Sequence, residues 1–68
     1  MLIIQDANTT KVFAGFNKKG RAFWVPLEPM MLCIAFTDLS EAEKVARQII
    51  DKGRYERYPP HVQLVGNP

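Results

Sequence analysis

Cys33 and His61 are the only cysteine and the only histidine of the chain, and they are its one candidate pair for nucleophilic catalysis. A histidine beside a cysteine can hold the sulfur as a reactive thiolate, but such a pair needs the two strands that carry it to adjoin. Cys33 lies in the apolar run Met30 to Phe36, where a buried and inert thiol is the usual outcome. Because no third group completes a catalytic set, the sequence predicts a protein that is not an enzyme.

Metal and phosphate sites have no better support. One histidine, one cysteine and scattered carboxylates match no zinc-binding spacing. Gly15 and Gly20 lack the glycine pattern and the helix start that a phosphate-binding loop needs. Glu41 and Glu43 point to different faces of a predicted helix, so they do not form a catalytic pair of carboxylates. We therefore expect no metal and no cofactor.

A basic segment lies at the tip of a predicted hairpin. No acidic residue occurs between Ala7 and Leu27, although the net charge of the whole chain is only +2. Positive side chains neutralise phosphates and flat rings stack on bases, which is the combination that binds single-stranded nucleic acid. Lysines are also common at solvated hairpin tips, and aromatic residues on strands usually belong to the core. The candidate residues of this basic hairpin face are Lys18, Lys19, Arg21 and Trp24.

A second candidate site follows the predicted helix, in a segment that ends in two prolines. Arg54, Tyr55, Arg57 and Tyr58 form what we call the arginine–tyrosine loop. Tyrosine and arginine often anchor protein interfaces because they offer a large, stiff contact area with a polar end. The alternative is that a tyrosine folds back over the helix end to complete a small core while the arginines stay solvated.

One amphipathic helix is predicted from Ser40 to Lys52. Ser40 followed by Glu43 matches a capping box, and Gly53 is predicted to end the helix as a left-handed residue. Lys52 places a positive charge at the negative end of the helix dipole. The apolar positions recur at three- and four-residue steps and predict the buried face, which consists of Ala42, Val45, Ala46, Ile49 and Ile50.

The remaining apolar segments predict short strands separated by turns. They are Leu2 to Gln5, Lys11 to Phe16, Ala22 to Val25, Met30 to Phe36 and His61 to Val65. The resulting order, β-β-β-(β)-α-β, predicts a small α+β domain over residues 1–68, with one antiparallel sheet and the helix packed on one face. If the Met30 and His61 strands are parallel neighbours, the helix forms a right-handed crossover between them.

Size and composition limit the other properties. A chain of 68 residues has a thin core, so oligomerisation would add stability. Burial is the favoured outcome for Met30 to Leu32, and the alternative is an exposed apolar patch for a partner or for self-association. We see no signal peptide and no apolar run long enough to span a membrane. A single cysteine suits a reducing compartment. We therefore expect a cytoplasmic protein with no membrane association.

Most of the chain resembles a type of small phage and prophage protein. The segments that carry the resemblance are Met1 to Asp6, Thr9 to Phe16, Gly20 with Trp24, Phe36-Thr37, and Ser40 to Ala46. The chain departs from the pattern at Pro26 to Cys33, where an apolar insert replaces a short polar connection. The resemblance implies a β-hairpin and single-helix fold in a bacterial host cell, and a role in binding and blocking a host protein, including components of bacterial defence systems.

Three functions follow as expectations. The first is a non-enzymatic phage-type protein that binds and modulates a host protein through the arginine–tyrosine loop, with the basic hairpin face as a second contact. The second is a nucleic-acid-binding accessory protein that uses the hairpin. The third is a self-assembling structural subunit, for which a homodimer is the simplest form.

Overall fold

The strand nearest the start of the sequence lies at the centre of the sheet. The computed structural model describes residues 1–27 and 33–66, which form a small α+β fold of one antiparallel sheet and one helix, as predicted. The elements in chain order are β1 (Leu2–Asp6), β2 (Val12–Phe16), β3 (Ala22–Val25), β4 (Ala35–Phe36), α1 (Leu39–Gly53) and β5 (Val62–Gly66).

Three strands pair with β1, so two of them share one of its edges. β5 pairs with every residue of β1, from Leu2 opposite Gly66 to Asp6 opposite Val62, and therefore occupies one edge in full. On the other edge β2 pairs at Gln5, while β4 pairs at Leu2 and Ile3. β4 and β5 both run antiparallel to β1, so they are parallel to each other with β1 between them. The predicted strands joined by the helix are therefore not neighbours.

The first hairpin turns around the buried carboxylate of Asp6. Its Oδ1 accepts from the backbone N–H of Asn8 at 3.0 Å and of His61 at 3.1 Å, and its Oδ2 accepts from the Thr9 hydroxyl at 3.2 Å. Thr10 takes a left-handed conformation, with φ of 60°, which closes the turn. A side chain of the turn thus also fixes the start of β5, 55 residues later in the chain.

The second hairpin contains a bulge that the sequence did not reveal. Phe13 pairs with Trp24, but the next pair is Gly15 with Phe23, so β2 has one extra residue. Gly15 has φ of 125°, a backbone conformation that residues with a Cβ rarely adopt. Because of the extra residue, Phe16 lies on the same face as Phe13, and their rings meet edge to face at 5.1 Å.

Each face of the sheet has its own apolar cluster. On the helix side, Ile4 and Phe13 pack with Ala46 and Ile49 of α1, and half-buried side chains of β3, β4 and β5 surround them. On the other side, Ile3, Val12 and Val25 are buried together, with Ala14, Cys33 and Val65 against them. The alternation of β1 thus places Ile3 and Ile4 in different clusters.

The helix begins one residue earlier than predicted and has a different cap. Asp38, not Ser40, is the N-cap: its backbone is extended and its side-chain Oδ1 accepts from the Ser40 N–H at 3.0 Å. Ser40 and Glu43 lie inside the first turns of α1, so the predicted capping box is wrong. Asp38 with Glu41 has the same three-residue spacing, and an aspartate caps a helix as well as a serine does.

The end and the buried face of the helix also differ from the prediction. Gly53 is the last helical residue and Arg54 is the C-cap, with right-handed dihedral angles. A Cβ at Gly53 would lie 3.1 Å from Pro60 Cδ, so the missing side chain serves the close approach of the proline ring. Ile50, predicted to be buried, is 50% exposed, whereas Ala42, Ala46 and Ile49 are buried as predicted.

Residues 28–32 lie outside the described residues. They include the start of the predicted strand from Met30 to Phe36 and much of the apolar insert from Pro26 to Cys33. In the described part, the strand is reduced to two residues, Ala35 and Phe36. Just before them, the Ile34 N–H donates to the Phe13 carbonyl at 3.0 Å, so this segment meets β2 where the bulge begins. The last strand begins at Val62 rather than at His61.

Candidate functional site: the arginine–tyrosine loop and the adjoining cleft

The arginine–tyrosine loop presents both of its aromatic side chains to solvent. Tyr55 is 89% exposed and Tyr58 is 82% exposed, and Arg54 and Arg57 are exposed as well. The tyrosines therefore do not fold back to complete the core, which was the alternative left open by the sequence.

Contacts within the loop give it a defined shape. The Glu56 N–H donates to the Gly53 carbonyl at 3.0 Å, which adds one turn after the helix. The Arg57 guanidinium lies over the Tyr58 ring, 5.7 Å from its centroid. Arg54 Nη2 reaches Asp51 Oδ1 at 3.4 Å, a solvent-exposed ion pair that adds little stability. The two tyrosines thus project from a segment that is anchored to the helix end.

The tip of the second hairpin is organised by Asn17. Its Oδ1 accepts from the backbone N–H of Lys19 at 2.9 Å and of Arg21 at 3.0 Å, while the Gly20 N–H donates to the Asn17 carbonyl. Gly20 has a positive φ of 79°, which glycine adopts without strain. Lys18, Lys19 and Arg21 are all exposed, so the basic part of the predicted hairpin face is accessible.

The aromatic residues of this hairpin do not share one face. Trp24 is half-buried on the helix side and meets the Phe13 ring edge to face at 6.0 Å. Phe23 is on the opposite face of the sheet and is 53% exposed. The Phe16 ring is covered by the ammonium group of Lys52, 5.3 Å from its centroid. The most exposed ring of the hairpin is therefore Phe23, at 53% against 38% for Phe16, and Trp24 belongs to a different surface.

That different surface is a cleft between the hairpin tip and the end of α1. It has a volume of about 210 Å³. Trp24, Ile49 and Pro60 supply apolar walls, and Arg21 and Lys52 supply positive charge. Glu56, from the arginine–tyrosine loop, also lines it. The structure thus brings the two predicted sites side by side, with the cleft between them.

Sequence reasoning missed this cleft because its lining comes from segments far apart in the chain. Lys52 was assigned only to the helix dipole. The hairpin tip and the helix end approach closely, since a Cβ at Gly20 would lie 3.2 Å from Lys52 Nζ. No local pattern in the sequence encodes that approach.

The other chemical candidates do not assemble a site. Cys33 contacts the cluster on the sheet face opposite the helix, whereas His61 is exposed. β4, which follows Cys33, and β5, which follows His61, are on opposite edges of β1, so the strands do not adjoin. Within residues 1–27 and 33–66, no group of three or more histidine, cysteine or carboxylate side chains is placed to hold a metal ion.

The same described ranges contain no helix with the length and apolar character needed to cross a membrane.

Comparison with known proteins gives no relative. No family model matches the chain, and neither the curated proteins nor the solved structures contain a significant match. The resemblance to small phage proteins therefore remains a prediction from the sequence.

Proposed function

We propose that this protein is a non-enzymatic binding domain that recognises another protein through the arginine–tyrosine loop. The observation that carries the proposal is the exposure of Tyr55 and Tyr58, at 89% and 82%. Tyrosine and arginine are the residue types that contribute most often to the energy of protein interfaces. A small domain gains nothing in its own core from two tyrosines in solvent, so their use lies in a contact with another molecule.

The shape of the loop adds support. Arg57 lies over the Tyr58 ring and the turn at Gly53 holds the segment against the helix end, so less freedom is lost when a partner binds. That the partner is a bacterial host protein, inhibited by the contact, is part of this proposal and rests on the resemblance to small phage proteins.

The test is binding with and without the two tyrosines. We expect the wild-type chain to retain one discrete protein from a bacterial lysate after nuclease treatment, and the double variant Tyr55→Ala/Tyr58→Ala to lose it, because each anchor contributes about 2 kcal/mol or more. The matched control is Leu39→Ala/Ile50→Ala, which removes two exposed apolar side chains elsewhere. Equal retention by the tyrosine variant, or equal loss in both variants, would contradict the proposal.

A second candidate function is nucleic-acid binding by the hairpin. It is favoured by the exposure of Lys18, Lys19 and Arg21 beside the half-exposed ring of Phe23. Here Lys18→Glu/Lys19→Glu would abolish binding to single-stranded DNA, and the affinity of the wild-type chain would fall steeply with salt. Loss of all retained material on nuclease treatment would place this function first.

A further inference from the structure

We infer that the cleft between the second hairpin and the end of α1 binds a carboxylate side chain, so that the partner presents an acidic segment beside the arginine–tyrosine loop. This inference rests on the proposed function. Specific interfaces engage about 20 to 30 residues on each side. The arginine–tyrosine loop is too small for that, and the cleft is the surface that adjoins it, since Glu56, between Tyr55 and Arg57, lines the cleft.

The polar groups of the cleft are mostly donors. Asn17 Oδ1 already accepts two backbone N–H groups, which leaves its Nδ2 amide group to donate. Among the described residues, neither Arg21 nor Lys52 forms an ion pair, so both positive charges are available. A carboxylate is the side chain that accepts from an arginine and an ammonium group at once.

One acidic residue, Glu56, lines the same cleft and reduces its positive charge. It makes no ion pair with Arg21 or Lys52 in the described part of the chain. Three further cations that form no ion pair in the described part of the chain lie within two residues of the lining residues, so the region as a whole stays positive. They are Lys18, Lys19 and Arg57, whereas Arg54 pairs with Asp51.

Charge along the helix has the opposite sign at the other end. Asp38, Glu41 and Glu43 occupy the N-terminal turns, and a helix of 15 residues is about 22 Å long. That separation exceeds the screening distance of about 8 Å at physiological salt. An acidic segment of a partner is therefore attracted to the cleft end of the molecule and not to the helix start.

Size and the placement of rings favour a protein carboxylate over nucleic acid. A volume of about 210 Å³ is smaller than a typical small-molecule pocket, which has about 300 Å³ or more, and suits one side chain. Stacking of bases needs an accessible ring, but Trp24 is half-buried against Phe13, and the Phe16 ring, 38% exposed, has the Lys52 ammonium group over it. The well-exposed ring of Phe23 is on the other face of the sheet.

The experiment is an NMR titration of the folded chain with a short poly-L-glutamate, compared with an oligothymidylate of equal charge. We expect poly-L-glutamate to shift the Trp24 indole N–H and the amide signals of Asn17, Arg21 and Lys52. Arg21→Gln/Lys52→Gln should weaken this binding by about tenfold or more, as expected for loss of two charge-assisted hydrogen bonds. The charge-matched control, Lys44→Gln/Arg47→Gln on the exposed helix surface, should weaken it by less than about threefold.

One further variant and a check of folding keep the outcome decisive. Arg21→Lys/Lys52→Arg retains both charges and should retain binding, and the dispersion of the amide spectrum shows whether each variant is folded. Equal weakening by the cleft pair and the control pair, or no saturable shift at the cleft, would overturn the inference. Tighter binding of the oligothymidylate, with shifts at Lys18, Lys19 and Phe23, would overturn it in favour of nucleic acid. Because the tyrosines are intact in all of these variants, a failure here leaves the tyrosine test of the proposed function independent.

Discussion

At the scale of single residues, Asp6 has the largest structural role of any acidic side chain that the structure describes. It is buried, and its carboxylate oxygens accept hydrogen bonds from Asn8 and Thr9 in the first turn and from His61 just before β5. A buried carboxylate is stable only when its oxygens are hydrogen-bonded. Asp6 therefore couples the local geometry of a turn to the placement of the last strand.

The corresponding prediction concerns Asp6→Ala. Removing the carboxylate leaves the backbone N–H groups of Asn8 and His61 without their acceptor, so we expect a loss of about 2 to 3 kcal/mol in the free energy of unfolding, measured by urea denaturation. The control is Asp51→Ala, which removes an exposed carboxylate with one weak ion pair and should change stability by less than about 0.5 kcal/mol. A similar small change for Asp6→Ala would show that solvent replaces the carboxylate.

At the scale of elements, the sequence predicts which helices and strands form, and in what order, better than it predicts the residues at which they begin and end. The helix, the two hairpins and the final strand follow from apolar periodicity and from turn residues such as Gly20. The helix cap was misplaced because Asp38 and Ser40 each have a glutamate three residues later, and the sequence alone does not rank two overlapping signals. Gly53 was misread because its role is set by Pro60, a contact that only the folded chain contains.

The candidate site shows the same division. The arginines, lysines and tyrosines were identified as candidates from residue type and loop position, but the sequence left open whether the tyrosines are exposed. Alternation along β3 places Trp24 and Phe23 on opposite faces, whereas the placement of Phe16 on the same face as Phe13 depends on the β2 bulge. The bulge depends in turn on one glycine with a positive φ, Gly15. The alternation of apolar and polar residues along a strand does not indicate where an extra residue is inserted.

Gly15→Ala tests the bulge. At φ of 125° an alanine is strained, so we expect a loss of about 1 to 3 kcal/mol, measured by thermal or urea unfolding. Ile34 Cδ1 would lie only 3.6 Å from the new Cβ, which is an ordinary contact, so the cost comes from the backbone and not from a clash. Gly66→Ala is the control, because a Cβ there meets nothing within 4 Å and should be close to neutral. Equal effects of the two substitutions would contradict this account.

At the scale of the whole molecule, two thin clusters share one sheet. Within residues 1–27 and 33–66, the largest side chains that are almost completely buried are Phe13, Ile4, Ile49 and Val12. Native stability of about 0.05 to 0.15 kcal/mol per residue gives this chain of 68 residues about 3 to 10 kcal/mol. Any one of these side chains therefore accounts for much of the stability of the fold.

Phe13→Ala is the clearest test of that balance. Truncating a buried phenylalanine costs about 3 to 5 kcal/mol, so we expect the variant to be largely unfolded at room temperature, as measured by circular dichroism and amide NMR dispersion. Phe23→Ala makes the same chemical change at a side chain that is 53% exposed, and should leave the chain folded. A folded Phe13→Ala variant would imply that the two clusters are stable independently of each other.

The position of β1 between its partners also has a consequence for biosynthesis. β5, which covers one full edge of β1, is synthesised last among the described strands. The hydrogen bond from the His61 N–H to Asp6 likewise forms only after His61, 55 residues later, has been synthesised. Until then the nascent β1 has an open edge and carries Ile3 and Ile4 without their final cover. Unpaired apolar strands of this kind are prone to aggregate. The sheet is therefore completed only after translation has passed β5, and the yield of folded protein should depend on how well the emerging chain is protected until that point.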